Sequence, residues 1–330
     1  MTSPEYKCMI CSNTKGNVFY DVKEMMFGFD DCFKYMECAE CGCLQLIDIP
    51  ENMSKYYPDN YYSFEQNKAS GIKKFLFGLI DKANIHKYKK SGGIMGLLLC
   101  TLFPEILSPI EPCDNVFDKK ILDVGCGNGI LLKKLASTGF TNLFGVDLFI
   151  EKDIVLNLPN QKEIKILKGT LFDIQETFDI IMLNHSFEHM QEQEEILLRI
   201  SDVLNETGTC IIKIPTTSSY AWKTYRENWF GLDAPRHLYL HSINSINRLC
   251  QKCGLKIEKV VYDSLIDIGL VRSGLYKKGW NVSQQDRFLY SPIGIVYILK
   301  HVVMAKWLNT RNQGDSITLY LRKDIGICEL

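Results

Sequence analysis

Between residues 116 and 262, short β-rich runs alternate with helical stretches, and this leaves few folds open. The β-rich runs are KILDVG (120–125), NLFGVD (142–147), IKILKG (164–169), FDIIMLN (178–184) and GTCIIKIP (208–215). After the first comes GNGILLKKLASTGF, with Leu131, Leu132 and Leu135 at helical spacing. Before the last comes EQEEILLRISDVLN, with Ile196, Leu197, Ile200, Val203 and Leu204 on one helical face. Strands alternating with helices imply right-handed crossovers and a parallel sheet. Ligands of such sheets bind at the carboxyl ends of the strands, which directs attention to the loops there.

The loop after the first run is Asp123-Val-Gly125-Cys126-Gly127-Asn128-Gly129. Glycines are required where backbone turns sharply or meets a ligand with no Cβ in the way. A helix N-terminus follows directly and favours an anionic group. The GxGxG spacing is shorter than the dinucleotide GxGxxG, which argues against a nicotinamide cofactor. Asp147 closes the second run, where a carboxylate can accept both hydroxyls of a ribose.

DVGCGNG, the GVD that ends the second strand, and FDIIMLNHSFEHM resemble the class I S-adenosylmethionine-dependent methyltransferases, in the right order over residues 116–262. The resemblance implies that Gly125, Gly127 and Gly129 let the methionine part of the cofactor approach and that Asp147 holds the ribose. It implies adenine contacts from the loop Gly169-Thr-Leu171-Phe172-Asp, and places Asn184 and His185 beside the sulfonium. The expected cofactor contacts are therefore Asp123, Gly125, Cys126, Gly127, Asn128, Gly129, Asp147, Leu148, Leu171, Phe172, Asn184 and His185.

Cysteine is the second strong signal. Six of the 13 cysteines lie in the first 43 residues. Cys8-x-x-Cys11 and Cys38-x-x-Cys41 are two thiolate knuckles that can close a tetrahedral four-sulfur shell around zinc, leaving no open position for catalysis. Cys32 and Cys43 are surplus and could substitute for a neighbour. The N-terminus lacks a basic start and an apolar core, so the expectation is a cytoplasmic protein with reduced thiols. CAECGCLQL followed by YYPDNYYSF resembles the N-terminal metal-binding module of the sugar C-methyltransferases and related glycan-cluster methyltransferases. That resemblance implies a module that helps to cover the substrate, with Tyr56, Tyr57, Tyr61 and Tyr62 as candidate lining residues.

The expected fold is α/β: a Rossmann-like class I methyltransferase sheet with a small N-terminal zinc ribbon and helical cap insertions. The expected division is a ribbon over 1–50, a Tyr-rich linker and helical cap over 51–115, and the methyltransferase domain over 116–330. A helical insertion is expected within that domain at about 270–313. The expected cofactors are S-adenosylmethionine and structural zinc.

Methyl transfer to a hydroxyl or carbon acid needs a base, for which histidine is suited. His189 follows the fourth strand, and His237 lies in the aromatic stretch NWFGLDAPRHLYLHS; these two are the candidate bases. His241 precedes Ser242, an expected helix N-cap, and reads as structural. Glu188 reads as a loop support. Cys250 and Cys253 fall on the apolar face of that helix and read as core. Trp222, Tyr225, Trp229, Phe230 and Tyr239 are expected to enclose a substrate pocket.

The expected substrate is a small hydroxylated molecule, a nucleotide- or lipid-linked sugar in glycan or glycosylated-metabolite biosynthesis. The alternatives are an rRNA methyltransferase gripping RNA with its zinc ribbon, a quinone-type O-methyltransferase, and a non-enzymatic binding protein with a retained cofactor pocket. With 38 Lys+Arg against 39 Asp+Glu the chain carries a net charge of −1, and the ribbon is acidic, which disfavours nucleic acid. No uncharged apolar run reaches the roughly 18 residues of a simple membrane span. The apolar segments at 72–103 and 291–308 are punctuated by Lys and His. They leave open a helical cap, a dimer face or a membrane-surface contact.

Overall fold

The computed structural model describes residues 6–58, 71–91, 93–102, 108–157, 163–264 and 269–324. In chain order its strands and helices begin with β1 (Val18–Lys23), β2 (Cys32–Glu37), β3 (Leu44–Leu46), α1 (Gly71–Lys89) and α2 (Gly93–Leu102). The alternating zone holds β4 (Lys120–Val124), α3 (Ile130–Thr138), β5 (Asn142–Asp147), β6 (Ile154–Asn157), β7 (Glu163–Lys168) and β8 (Phe178–Asn184). It continues with α4 (Gln193–Val203), β9 (Leu204–Pro215), α5 (Tyr220–Tyr225), β10 (Tyr239–Leu240), α6 (Ile243–Lys252) and β11 (Leu255–Tyr262). The chain ends with α7 (Gly269–Lys277), α8 (Val282–Leu289), α9 (Pro292–Asn309) and β12 (Ser316–Lys323).

The chain divides into two compact units, each stitched from three stretches. The first comprises Met1–Tyr56, Phe187–Glu194 and Lys213–Leu319; the second comprises Tyr57–Ser186, Glu195–Ile212 and Tyr320–Leu330.

In the second unit the strands run in the order β9-β8-β4-β5-β7-β6. β4 pairs in parallel with β5 and β8, and β5 with β7. This is the Rossmann-like α/β arrangement expected from the sequence. β6 departs from it, pairing antiparallel with β7. Its four residues follow Asp153, whose Oδ1 accepts from the Lys168 N–H at 2.8 Å and fixes the turn-back. Leu132 and Leu135 of α3 join Ile121, Leu143, Ile164, Ile166 and Ile180 in one buried cluster, which explains the helical spacing of those leucines. Gly139, at φ 121°, ends α3. Gly96 brings α2 close to α1: a Cβ there would lie 2.8 Å from the Lys82 carbonyl oxygen.

The first unit contains a small sheet in the order β1-β2-β3-β10. The cysteine ribbon's sheet is therefore completed by Tyr239 and Leu240, paired antiparallel with Gln45 and Leu44, almost two hundred residues downstream. Its core holds Tyr35, Leu44, Trp222, Trp229, Leu238 and Leu240. This corrects the expectation that all five aromatics enclose a pocket: Trp222 and Trp229 are core residues. Their indole N–H groups donate to Glu37 at 2.8 Å and Asp315 at 3.3 Å, which allows these amphipathic rings to be buried. Cys250 and Cys253 are buried on α6.

No single described helix is long and apolar enough to cross a bilayer; α8 and α9 reach that length and apolarity only jointly, across an 89° bend.

Candidate functional site

In the second unit, β4 ends at Val124 and the chain enters three glycines at positive φ: Gly125 at 74°, Gly127 at 53° and Gly129 at 70°. Space requires glycine as well as conformation. A Cβ on Gly125 would stand 2.5 Å from the Ser186 Cβ, and one on Gly129 2.4 Å from Ile166 Cδ1. The loop is tied to β5 by the Gly125 N–H donating to the Val146 carbonyl at 2.8 Å. Asp147 Oδ2 accepts from the Gly127 N–H at 2.8 Å, and Oδ1 accepts from the Phe149 N–H at 2.8 Å. Each oxygen keeps a further lone pair, so the carboxylate is aimed and still able to accept from two hydroxyls.

Asp123 is buried, and burial reinforced by the Asp147 charge pushes its carboxyl up to about 7. Cys126 is half-buried, and its thiol is raised by burial. Asn128 is half-buried. Asn184 and His185 are exposed at the end of β8, with His185 at φ 52°. Ser186 turns inward and donates to the Val124 carbonyl at 2.7 Å. The strand register thus brings the glycine loop and the Asn184–His185 corner to one edge of the sheet.

Leu148, Phe149 and Phe172 are exposed apolar side chains, whereas Leu171 is buried. Tyr57 stacks on Phe149, with ring centroids 6.2 Å apart and planes at 18°. Thr170 and Asp173 close a capping box that shapes the loop carrying Phe172. A pyrrolidine-free, glycine-lined turn, an aimed carboxylate and exposed flat side chains fit a nucleoside with a charged amino-acid tail. Tyr61 and Tyr62 lie outside the described residues.

The first unit holds the four-sulfur cluster. Cys8 and Cys41 Sγ atoms are 3.6 Å apart, Cys11 and Cys38 3.4 Å, and all four lie within 4.8 Å of one another. Zinc–sulfur bonds of about 2.3 Å in a tetrahedron require sulfur separations of about 3.8 Å, so these residues fit a structural zinc ion. Each knuckle closes with a backbone bond, Ser12 N–H to Cys8 O and Gly42 N–H to Cys38 O, through Ser12 at φ 65° and Gly42 at φ 73°. Cys43 is buried beside the cluster, and Cys32 is exposed. The second knuckle is fastened to α6: Ser242 Oγ donates to the Cys41 carbonyl and Arg248 pairs with Glu40 at 2.6 Å.

The same unit brings His189 and His237 together, with ring centroids 4.7 Å apart. His189 Nδ1 lies 2.9 Å from the Arg236 carbonyl oxygen, and His237 Nδ1 2.9 Å from the Gly231 carbonyl oxygen. A carbonyl only accepts, so each Nδ1 carries a proton, and in a neutral imidazole the lone pair is then on Nε2. His237 Nε2 lies 3.8 Å from Glu188 Oε1 and 3.9 Å from Asp233 Oδ2. Burial, with the neighbouring His189, pushes His237 down to about 4, so it is neutral near pH 7. Glu188, His189 and His237 converge within 4.8 Å, a spacing that a cation could also use.

Arg236, invisible as a functional residue in the sequence, is the hub of this cluster. It is fully buried, donating to Asp233 at 2.6 Å, Glu24 at 2.8 Å and the Tyr56 carbonyl at 3.0 Å. Glu24 in turn accepts backbone N–H bonds from Met26, Phe27, Gly28 and Phe29. Tyr35 of β2 donates to the His237 carbonyl at 2.8 Å. The Glu24 partner lies 212 residues away, a separation that no sequence spacing reveals. His241 is buried, bonded to Ser245 and Gln193, and pushed down to about 3 by burial, a structural histidine.

A parallel α/β sheet with a glycine-lined loop and a carboxylate at its carboxyl edge is the arrangement of the Rossmann-like methyltransferase class. Residues 85–260 match the family model described as "Methyltransferase domain", and the chain belongs to that family. It is similar to the ubiquinone biosynthesis O-methyltransferase of Rickettsia canadensis (strain McKiel), with 27% identity over 149 residues, covering 40% of this chain and 63% of that protein. The corresponding enzyme of Rickettsia typhi (strain ATCC VR-144 / Wilmington) is 29% identical over 151 residues, covering 43% and 61%. The chain therefore spans less than two thirds of either relative. Among solved structures it is similar to an S-adenosylmethionine dependent methyltransferase from Mesorhizobium loti, with a TM-score of 0.41 and 14% identity over 64% of this chain and 94% of that one.

Proposed function

We propose that the protein methylates a hydroxyl of a small acceptor, a nucleotide- or lipid-linked sugar, with S-adenosylmethionine as donor. When bound, that cofactor supplies a methyl group on an electrophilic sulfonium. The glycine loop from Gly125 to Gly129 accommodates its methionine part, Asp147 accepts from the ribose hydroxyls, and Leu148 and Phe172 flank the base. Asp123 and the Asn184–His185 corner contribute the remaining contacts. Zinc in the four-cysteine cluster is structural, with no open position to activate substrate.

One observation carries the choice of base: both Nδ1 atoms lie at hydrogen-bond distance from backbone carbonyls, so in a neutral imidazole the proton-accepting nitrogen is Nε2 in His189 and His237 alike. Glu188 and Asp233, both within 4 Å of His237 Nε2, stabilise the imidazolium once the proton arrives. Replacing the true base with Gln should lower turnover roughly 100- to 10,000-fold while leaving cofactor affinity unchanged. Radiolabelled methyl transfer to nucleotide sugars, lipid-linked sugars, quinol precursors and rRNA tests the acceptor. Full turnover in both His189→Gln and His237→Gln would exclude a histidine base.

A second reading is methylation of a quinone-type phenol, supported by the names of the Rickettsia relatives. The sugar reading rests on the four-cysteine module and its Tyr-rich continuation. The RNA reading is disfavoured by the acidic ribbon, of whose carboxylates Glu24 and Glu37 are engaged internally with Arg236 and with Trp222 and Arg226.

A further inference from the structure

Glu188 and His189 belong to the tight helical turn Phe187–His189, and His237 follows the buried Asp233–Arg236 pair. The Leu238 N–H donates to the Glu188 carbonyl at 2.8 Å, and the Tyr35 hydroxyl donates to the His237 carbonyl at 2.8 Å, so both segments are held by their backbones. One ligand atom from each of Glu188, His189 and His237 lies within 4.8 Å of the other two. His237 Nε2 is 3.8 Å from Glu188 Oε1, and the two imidazoles meet edge to face with planes at 64°. The far side of each ring carries an independent feature. Nδ1 of His189 lies 2.9 Å from the Arg236 carbonyl oxygen, and Nδ1 of His237 lies 2.9 Å from the Gly231 carbonyl oxygen. Metal-ligating histidines almost always donate their other ring N–H to a carbonyl or carboxylate, which fixes the ring and raises its basicity. Both rings have that support, and it comes from backbone oxygens.

We infer that Glu188, His189 and His237 form a binding site for a divalent transition-metal ion, separate from the four-cysteine cluster. Two imidazoles and one carboxylate suit zinc, cobalt or nickel; magnesium and calcium take oxygen ligands instead. With bonds of about 2.0–2.2 Å, a tetrahedral ion sets its ligand atoms about 3.3–3.6 Å apart. The trio reaches that spacing by a side-chain adjustment, which the half-buried His189 at its rim permits. Coordination exchanges the polar contacts these groups make in the metal-free protein for bonds to the ion. Asp233, engaged by Arg236 at 2.6 Å, remains an outer carboxylate 3.9 Å from His237 Nε2. Three protein ligands leave a fourth position open, unlike the closed four-sulfur shell. The functional consequence rests on the base assignment proposed above: an Nε2 bound to metal accepts no proton, so the metal-loaded form lacks its base and is the inactive one.

The test is titration of the full-length, zinc-loaded protein with Co2+ alone, followed by calorimetry and visible absorption. The wild type should take up one cobalt per chain while keeping its zinc, without the intense sulfur-to-cobalt band that exchange into the cysteine cluster would give. Glu188→Gln, His189→Gln and His237→Gln should each weaken that uptake by more than the about 10- to 100-fold that loss of an outer partner costs. Zinc content and melting temperature report folding, and three separate ligand variants keep the test decisive if one of them fails to fold. No cobalt bound beyond the zinc, cobalt bound only by displacing zinc, or undiminished uptake in the folded variants would overturn the site. Turnover, measured on the acceptor that the radiolabel screen returns, should fall in proportion to bound cobalt. Specific uptake that leaves turnover unchanged would support the site and overturn the histidine base, so the two failures are distinguishable.

Discussion

The two units place their chemistry in opposite ways. In the second, the residues of the proposed cofactor cradle sit at the ends of neighbouring strands, and each group is contiguous in sequence: Asp123 to Gly129, Asp147 to Phe149, and Asn184 to Ser186. Parallel strands in register bring these short motifs to one edge. In the first unit the cluster around His189 and His237 depends on Glu24, Tyr35, Tyr56 and Asp233, drawn from opposite ends of the chain and joined through buried charge and ribbon pairing. A cradle built from local turns should tolerate damage elsewhere. A cluster built from distant partners should fail when any of them is lost.

Removing the metal gives the largest expected break between the two. Cys8→Ser with Cys38→Ser should release zinc, because two of four ligands are gone, and binding at such sites contributes on the order of 10 kcal/mol to folding. β10 belongs to the ribbon's sheet, and α6 holds the second knuckle. Hydrogen exchange should therefore lose protection beyond residue 50, at Tyr239, Leu240 and the N-terminal turn of α6. Protection over β4 and β5 should persist. Loss confined to the first 50 residues would mean that the ribbon is energetically separate from the histidine cluster.

Arg236→Met comes next. It leaves Glu24 and Asp233 buried without their cation, which costs about 3–5 kcal/mol for a broken buried pair. Chemical denaturation would measure this. Arg236→Met with Glu24→Gln should recover part of the loss, because one uncompensated charge is removed with its partner. Wild-type stability in the single variant would mean that Asp233 and Glu24 are solvated in solution.

Asp147→Ala tests the cradle. Charge-assisted hydrogen bonds are worth about 1.5–3 kcal/mol each, so losing one to two ribose contacts should weaken cofactor affinity by at least tenfold in calorimetry. The variant should leave zinc content unchanged, which keeps the comparison clean. Undiminished affinity would remove Asp147 from the site.

This contrast also explains what could be read from sequence. β5 and β8 match the apolar runs NLFGVD and FDIIMLN residue for residue, because strand periodicity and flanking turns are local properties. The Ser242 cap of α6 was legible for the same reason, and its Oγ accepts from the Ser245 N–H. The antiparallel β6 was missed: four residues offer too short a pattern, and its direction depends on a tertiary bond from Lys168 to Asp153. The burial of Trp222 and Trp229 was missed because an aromatic-rich stretch reads equally as pocket or core until its indole partners Glu37 and Asp315 are known. The Glu24–Arg236 link follows no sequence spacing at all.

The smallest expected effect is the cradle's share of the pH dependence, read as the difference between wild type and Asp123→Asn because the depressed His237 and His241 give the free protein an opposite slope. Asp123 ionises at about 7 in the folded chain, against 3.8 for the free side chain, because burial and the Asp147 charge both disfavour its carboxylate. The folded state therefore holds a proton that the unfolded state has already released. Its stabilising contribution is complete below pH 4 and is lost as pH rises through 7. Between pH 6 and 8 the fall amounts to about 1.4 kcal/mol. A cationic sulfonium and ammonium favour the ionised form, so cofactor affinity should change in the other direction and rise over the same range. Asp123→Asn should flatten both slopes: the melting temperature of the free protein and the calorimetric affinity would lose this part of their pH dependence. If the Asn variant keeps the wild type's slopes in both measurements, Asp123 does not exchange its proton with cofactor binding. Its place beneath the loop would then be purely structural.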